Sequence, residues 1–331
     1  VDHAAFWKQV GEIVGLELTA PKLTARLTGT WKNPEGGLTA SVRQIAFDPK
    51  QFARPLPAVE DFRLTLQGNM TGLTLEQFAV NVAGQPIRAG GQLQLPAGGW
   101  TAVRESPLAV ARQGTDLRIQ IPDADLAAFA GVLPEMIVPR GRLSVDLALR
   151  DEKWSGGIRL TDAATRPLGP TGALNEISAD LQLQDQTLEI RSVSAQLGGE
   201  TVRLSGQAHL PDLESLRHEQ VDLVNGLRYD LAVTGRNLPF VRRTGLLVRG
   251  DLDLKLAGSG EAPPALSGTV RLRDSLFLQD VRSLLPGDTR SKSSRPPYFA
   301  VEAEPFATWS LDVNVVGTEF MRLRATGFTG V

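Results

Sequence analysis

Acid–base or metal chemistry needs clustered titratable side chains, and the three histidines of this chain, His3, His209 and His218, are scattered without a partner pattern. His209 takes the place in one strand-like stretch that Gln94 takes in an equivalent earlier one, a polar outward position, and His218 falls in the charged turn 216–220. Asp123 and Asp125 in IPDADL suggest calcium. A calcium loop wants more oxygens and its glycine, however, and an aspartate just ahead of a short helix is a good N-cap. Asp251 and Asp253 alternate with Leu252 and Leu254, which sets both carboxylates and Lys255 on the polar face of one strand. Arg290, Lys292 and Arg295 carry charge that suits lipid phosphates, but they sit in GDTRSKSSRPP, a polar aperiodic run at 287–297 that reads as a solvated loop. No glycine-rich loop follows a strand and opens a helix; Gly36-Gly37 and Gly90-Gly91 read as turns or bulges. With no cysteine, thiolate metal sites, cysteine nucleophiles and disulfides are excluded. The expectation is a non-catalytic protein without metal or cofactor.

The elements that would hold any site are strands. Phe62, Leu64 and Leu66 alternate with polar residues, as do Leu117, Ile119 and Ile121, then Leu143, Val145, Leu147 and Leu149, then Leu227, Tyr229, Leu231 and Val233. Continued to Leu311, Val313 and Val315, this alternation predicts about twenty half-buried strands. Helical spacing is confined to Ala4–Val14, Leu126–Leu133, Leu213–Leu216 and Val281–Leu285. The organisation expected is a short N-terminal helix at 1–15, a first β section at 16–211 and a second at 212–331, with the polar loop 287–297 inside it and the division within Pro211–Val224. The chain begins at Val1 and is still strand-like at Val331, as expected of a piece of something longer. Its apolar stretch Leu126–Leu133 is far short of the roughly 18 residues a membrane helix needs, so an anchor is expected outside this piece.

Internal repeats support the strand reading. Laying 73–96 over 188–211 aligns Leu73 with Leu188, Gly84 with Gly199, Arg88 with Arg203, Gly91 with Gly206, Gln92 with Gln207 and Pro96 with Pro211. Both copies predict a hairpin that turns at small residues and ends at proline. A second pair matches Arg140-Gly141-Arg142-Leu143 with Arg249-Gly250-Asp251-Leu252, and the Ser-Gly-led strand at Ser155-Gly156-Gly157 with that at Ser267-Gly268-Thr269.

One apolar face on every strand must be covered, at about 25 cal/mol per Å². Twenty strands about 4.8 Å apart make a sheet of order 95 Å, too much for a few short helices to cover. The fold class expected is therefore mostly β: an elongated, curled antiparallel sheet, a trough or taco-like groove, built from amphipathic repeats. Aromatics are 6% of the chain, so the groove would be aliphatic and suited to acyl chains held without fixed hydrogen bonds. The alternates expected to line it are Leu64, Leu66, Leu73, Leu75, Val80, Val82, Ile87, Leu93 and Leu95; Leu143, Val145, Leu147, Ile158 and Leu160; Leu188, Ile190, Val202, Leu204, Leu210 and Leu231; and Leu252, Leu254, Leu256, Val270, Leu272, Leu311, Val313 and Val315. The alternative is an assembly scaffold whose own side chains fill the interior. A β-helix enzyme is disfavoured by the uneven repeat lengths. The 35 basic and 37 acidic side chains nearly cancel, so nucleic acid is not an expected partner, and a monomer is expected.

The run 229–277, with its "gdLdLkl.G" strand (Gly250–Gly258) and "p.l.Gtv.l.d" strand (Pro264–Asp274), resembles the repeated pattern of the TamB and AsmA-like envelope proteins. The stretch 139–162 resembles it more loosely, and 311–330 resembles the segment where such proteins carry "l.v.v....f.l.g.gl.g". The resemblance implies a periplasmic β-groove, anchored in the inner membrane outside this piece, that carries phospholipid or another acyl lipid toward the outer membrane or assists outer-membrane protein assembly. It carries over no catalytic residue.

Overall fold

The computed structural model describes residues 7, 15–30, 32–47, 56–96, 114–151, 153–210, 227–259, 263–278, 306–325 and 328–330. Among them the chain is almost all strand: β1 Leu16–Thr19, β2 Lys22–Gly29, β3 Pro34–Phe47, β4 Val59–Gly68, β5 Gly72–Val82, β6 Gln85–Gln94, β7 Thr115–Asp125, β8 Ile137–Val138, β9 Arg142–Arg150 and β10 Lys153–Thr165. It continues through β11 Leu174–Asp185, β12 Thr187–Leu197, β13 Glu200–His209, β14 Arg228–Arg243, β15 Leu246–Ser259, β16 Ala265–Phe277, β17 Ser310–Gly317, β18 Met321–Ala325 and β19 Phe328–Gly330. The expected mostly β fold, open and antiparallel in the main, is the observed one. The helices expected at Ala4–Val14, Leu213–Leu216 and Val281–Leu285, the loop 287–297 and the division within Pro211–Val224 fall, Trp7 aside, outside the described residues.

Two compact units divide the chain, the first made of Val1–Leu133, Pro139–Arg159 and Gln182–Asp185, the second of Pro134–Val138, Leu160–Leu181 and Gln186–Val331. In the first, β2, β3, β4, β5, β6, β7 and β9 pair neighbour to neighbour, all antiparallel, with β1 on the far end of β3. In the second, β12 to β16 form an antiparallel ladder. β17 and β18 then pair with β16 in parallel, which the alternation alone does not predict. The physical reason is chain length. Ser310 pairs with Ala265 at the start of β16, and the connection from Leu278 to Trp309 is long enough for the crossover that a parallel pair demands.

Both repeated hairpins turn alike. Val82 pairs with Gln85 around Ala83 (φ 49°) and Gly84 (φ 77°), and Leu197 with Glu200 around Gly198 (φ 60°) and Gly199 (φ 91°). Positive φ at both central residues is the two-residue turn whose twist matches its flanking strands. Where a helix was expected over Leu126–Leu133 there is one 3-10 turn, Leu126–Phe129. Ala127 N donates to the Asp125 carboxylate at 2.9 Å, so Asp125 is the N-cap, and Pro134 follows to prevent continuation.

Candidate apolar lane

Strand register decides which side chains share a face, because directly paired residues point the same way. Across β12 to β17 the pairing lines up three rows: Ala195, Val202, Gly235, Leu252, Val270 and Val315; Val193, Leu204, Val233, Leu254, Gly268 and Val313; Ile190, Gly206, Leu231, Leu256, Leu266 and Leu311. Five steps of about 4.8 Å make each row about 24 Å long. In the first unit two rows cross seven strands: Ala25, Leu38, Leu66, Leu75, Gly91, Leu117 and Leu149; Leu23, Ala40, Leu64, Phe78, Ala89, Ile119 and Leu147. Not one carries a charge or a hydrogen-bonding side chain.

The remaining expected lining residues lie elsewhere along the strands. In the first unit Leu73 pairs with Leu93, Val80 with Ile87, Val82 with Val59, Val145 with Ile121 and Leu143 with Ala124. In the second, Leu188 pairs with Ala208 and Leu272 with Gly250. Ile158 and Leu160 lie on β10. Leu95 and Leu210 sit just past β6 and β13, where their N–H groups donate to Thr71 O and Gln186 O at 2.9 and 2.7 Å. Leu38, Phe78, Val193, Val233 and Leu266 also belong to the rows; strand alternation is the signal that could have found Leu38, Val233 and Leu266, whereas Phe78 and Val193 follow bulges that alternation does not show.

Of the expected lining residues Val80 is buried, at 8% exposure; the others are half-buried, except Leu311 and Val315, which are 72% and 62% exposed. A filled two-layer core would drive such side chains close to zero. One margin of the second unit's lane is closed. At a bulge between Gly235 and Leu238, Asn237 takes φ 54°, its N–H donates to Asp251 Oδ1 at 2.9 Å and its amide to Glu200 Oε1 at 3.0 Å. The bulge throws Leu238 over Gly235 and Phe240 over Gly250, where added Cβ atoms would come within 2.6 and 2.7 Å of them. Leu197, Leu238 and Phe277 are 5%, 1% and 3% exposed, so the apolar core of this unit is a plug along one side and the rows beyond it stay accessible.

A recurrent contact shapes both floors. Added Cβ atoms on Gly91, Gly156, Gly206 and Gly268 would lie 2.1, 2.0, 2.1 and 2.3 Å from the carbonyl oxygens of Asp116, Asp146, Asp230 and Asp253. They would stand within 2.8 to 3.0 Å of the Cα atoms of Leu117, Leu147, Leu231 and Leu254. Each glycine faces an Asp-Leu step across the ladder, and its bare Cα lets the two backbones approach more closely than any side chain would permit. A strand relieved of its side chain on the apolar face can bend toward that face.

The opposite face carries the charges. In the first unit Arg118 donates to Asp146 at 2.8 and 2.6 Å, Arg142 pairs with Asp123, and Arg150 reaches Asp116 at 3.3 Å. In the second unit Arg273 pairs with Asp251. The Arg118 hydrogen bond holds the Asp146 carboxyl below the usual carboxylate range, and that from Arg142 does the same for Asp123. Lowered pKa values in the folded state mean stability that is present above the ordinary carboxylate range and lost as pH falls through the folded values. The urea midpoint of the first unit is therefore expected to hold from pH 7 to about 5 and to fall below about pH 4. Asp146→Asn should lower it at pH 7 and lose that deficit at pH 3. A deficit that persists unchanged at pH 3 would refute a role for the ionised pair. Among the described residues no group of three or more His, Asp or Glu is placed to hold a metal ion.

No family model, curated protein or solved structure matches the chain.

Proposed function

We propose that the chain is a lipid-holding segment of a bacterial envelope protein similar to the TamB and AsmA-like proteins, with acyl chains lying along its apolar rows. The observation that carries this is the combination of continuous apolar rows six and seven strands wide with side chains that the chain itself leaves half-exposed. An aliphatic floor offers contact without direction, so an acyl chain can slide along it with little barrier. Half-exposed leucines recover their remaining transfer free energy, about 25 cal/mol per Å², only when something apolar covers them. A scaffold filled by its own residues would need no such cover. In this reading the partner is a phospholipid or other acyl lipid and the compartment is the periplasm.

Native mass spectrometry of the purified chain, paired with lipid extraction, tests it. The expected spectrum contains adducts of phospholipid mass that extraction removes. A chain that purifies free of lipid and takes up no fluorescent phospholipid from vesicles would dispose of the proposal.

A further inference from the structure

A cleft of about 1010 Å³ in the first unit crosses the ends of β2 to β6. Its lining includes Leu38 and Leu66 of the leucine rows, with Leu73, Leu93 and Leu95, but register places its polar members on the reverse of the sheet: Arg26 pairs with Gly37, Gly37 with Gln67, Gln67 with Thr74 and Thr74 with Gln92, one row that alternates with the leucine rows. Thr39 pairs with Thr65 beside it, and Asn69 and Gln94 bring the side-chain amides of the lining to four. Among the described residues none of the Gln67, Thr74, Gln92 and Gln94 side chains makes a hydrogen bond.

From this we infer a second binding site, for a neutral, polyhydroxylated ligand of the linear oligosaccharide class, on the polar side chains of this cleft. Glutamine and threonine side chains each both donate and accept, as sugar hydroxyls do, whereas a phosphate or carboxylate would want donors alone and a cation acceptors alone. The two charges in the cleft, Arg26 and Glu35, are opposite in sign, so the site offers no net field for an ion. This sets it apart from the β7–β9 part of the same face, where arginines and aspartates are paired. The polar row repeats once per strand, about every 4.8 Å, close to the advance of one pyranose ring along an extended chain. An oligosaccharide lying across the strands meets one side chain per sugar, while a polypeptide in that direction cannot form ladder hydrogen bonds with the sheet. No ring stacks on the sugar, so binding by hydrogen bonds alone should be weak, of order 1 mM.

The experiment titrates the full chain with maltohexaose, cellohexaose, an acidic oligouronate and an uncharged hexapeptide, read by saturation-transfer NMR and calorimetry up to about 10 mM. One or both neutral hexasaccharides should bind. Gln67→Ala with Gln92→Ala should weaken that binding about tenfold, the loss of two hydrogen bonds, while circular dichroism and lipid content stay unchanged, since both residues lie on the face away from the lane. Absence of binding by either neutral sugar, binding of the oligouronate or peptide alone, or sugar binding indifferent to the double substitution would each overturn the inference. Because lipid content is read on the other face of the sheet, failure here leaves the lipid proposal standing.

Discussion

Leu254→Arg is expected to reduce the phospholipid that purifies with the chain at least about tenfold, the equivalent of 1.4 kcal/mol. Leu254 stands in the middle row of the second unit, between Val233 on β14 and Gly268 on β16. With no side chain on Gly268, a guanidinium grafted onto residue 254 reaches directly into the space above the floor. There it either faces an acyl chain without a hydrogen-bonding partner, which costs well over the 1.4 kcal/mol needed, or stretches to the open margin and blocks the lane with its stem. Because Leu254 is only half-buried, the fold should survive, with a stability loss below about 2 kcal/mol and unchanged β content. Asp253→Arg is the matching control. It sets the same cation one residue along, on the polar face, and should leave lipid content as it was. Undiminished lipid in the Leu254→Arg protein, or equal loss in the Asp253→Arg protein, would remove the lane from the explanation.

Strands and their faces were legible in the sequence wherever alternation ran unbroken, as in Leu252, Leu254 and Leu256, because a period of two is what a half-covered sheet imposes. The hairpins around Gly84 and Gly199 were legible through their repeat. What escaped depends on pairing that no single strand announces. A bulge after Ile190 moves the apolar set from Ile190 to Val193 and Ala195, and another after Leu75 moves it to Phe78; strict alternation would send Val193 and Phe78 to the polar side. The plug formed by Leu238 and Phe240 hangs on the left-handed Asn237, a turn of the chain that "GRNLPF" does not advertise. The parallel β16–β17 pair follows from the length of a connection, not from any property of the strand. Exposure differs even within one alternating triplet. Leu311 and Val315 meet the expected spacing, yet they are left largely bare because β17 stands last in the described ladder.

The glycine contacts also require register, and they carry the second large effect. Gly206 and Gly268 adopt φ of 135° and 126°, a region that residues with a side chain rarely enter. An alanine Cβ at Gly206 would in addition meet Asp230 O at 2.1 Å, and backbone cannot step aside as a side chain tip can. Gly199 separates the two causes, since its φ is 91° but nothing lies within 4 Å of its added Cβ. Gly199→Ala should therefore cost only the conformational part, about 1 kcal/mol. Gly206→Ala and Gly268→Ala should each cost about 3 kcal/mol, because the β13–β14 and β15–β16 ladders must spread to admit the methyl group. On a chain of this size that difference is about 3 °C in Tm. The spreading has a functional corollary: a floor forced apart at Leu231 or Leu254 loses the close rows on which an acyl chain would rest, so lipid content should fall along with stability in Gly206→Ala and Gly268→Ala, and not in Gly199→Ala. Calorimetric scans that rank all three glycines equally would show that backbone conformation alone, and not the close approach to the Asp-Leu steps, holds these positions.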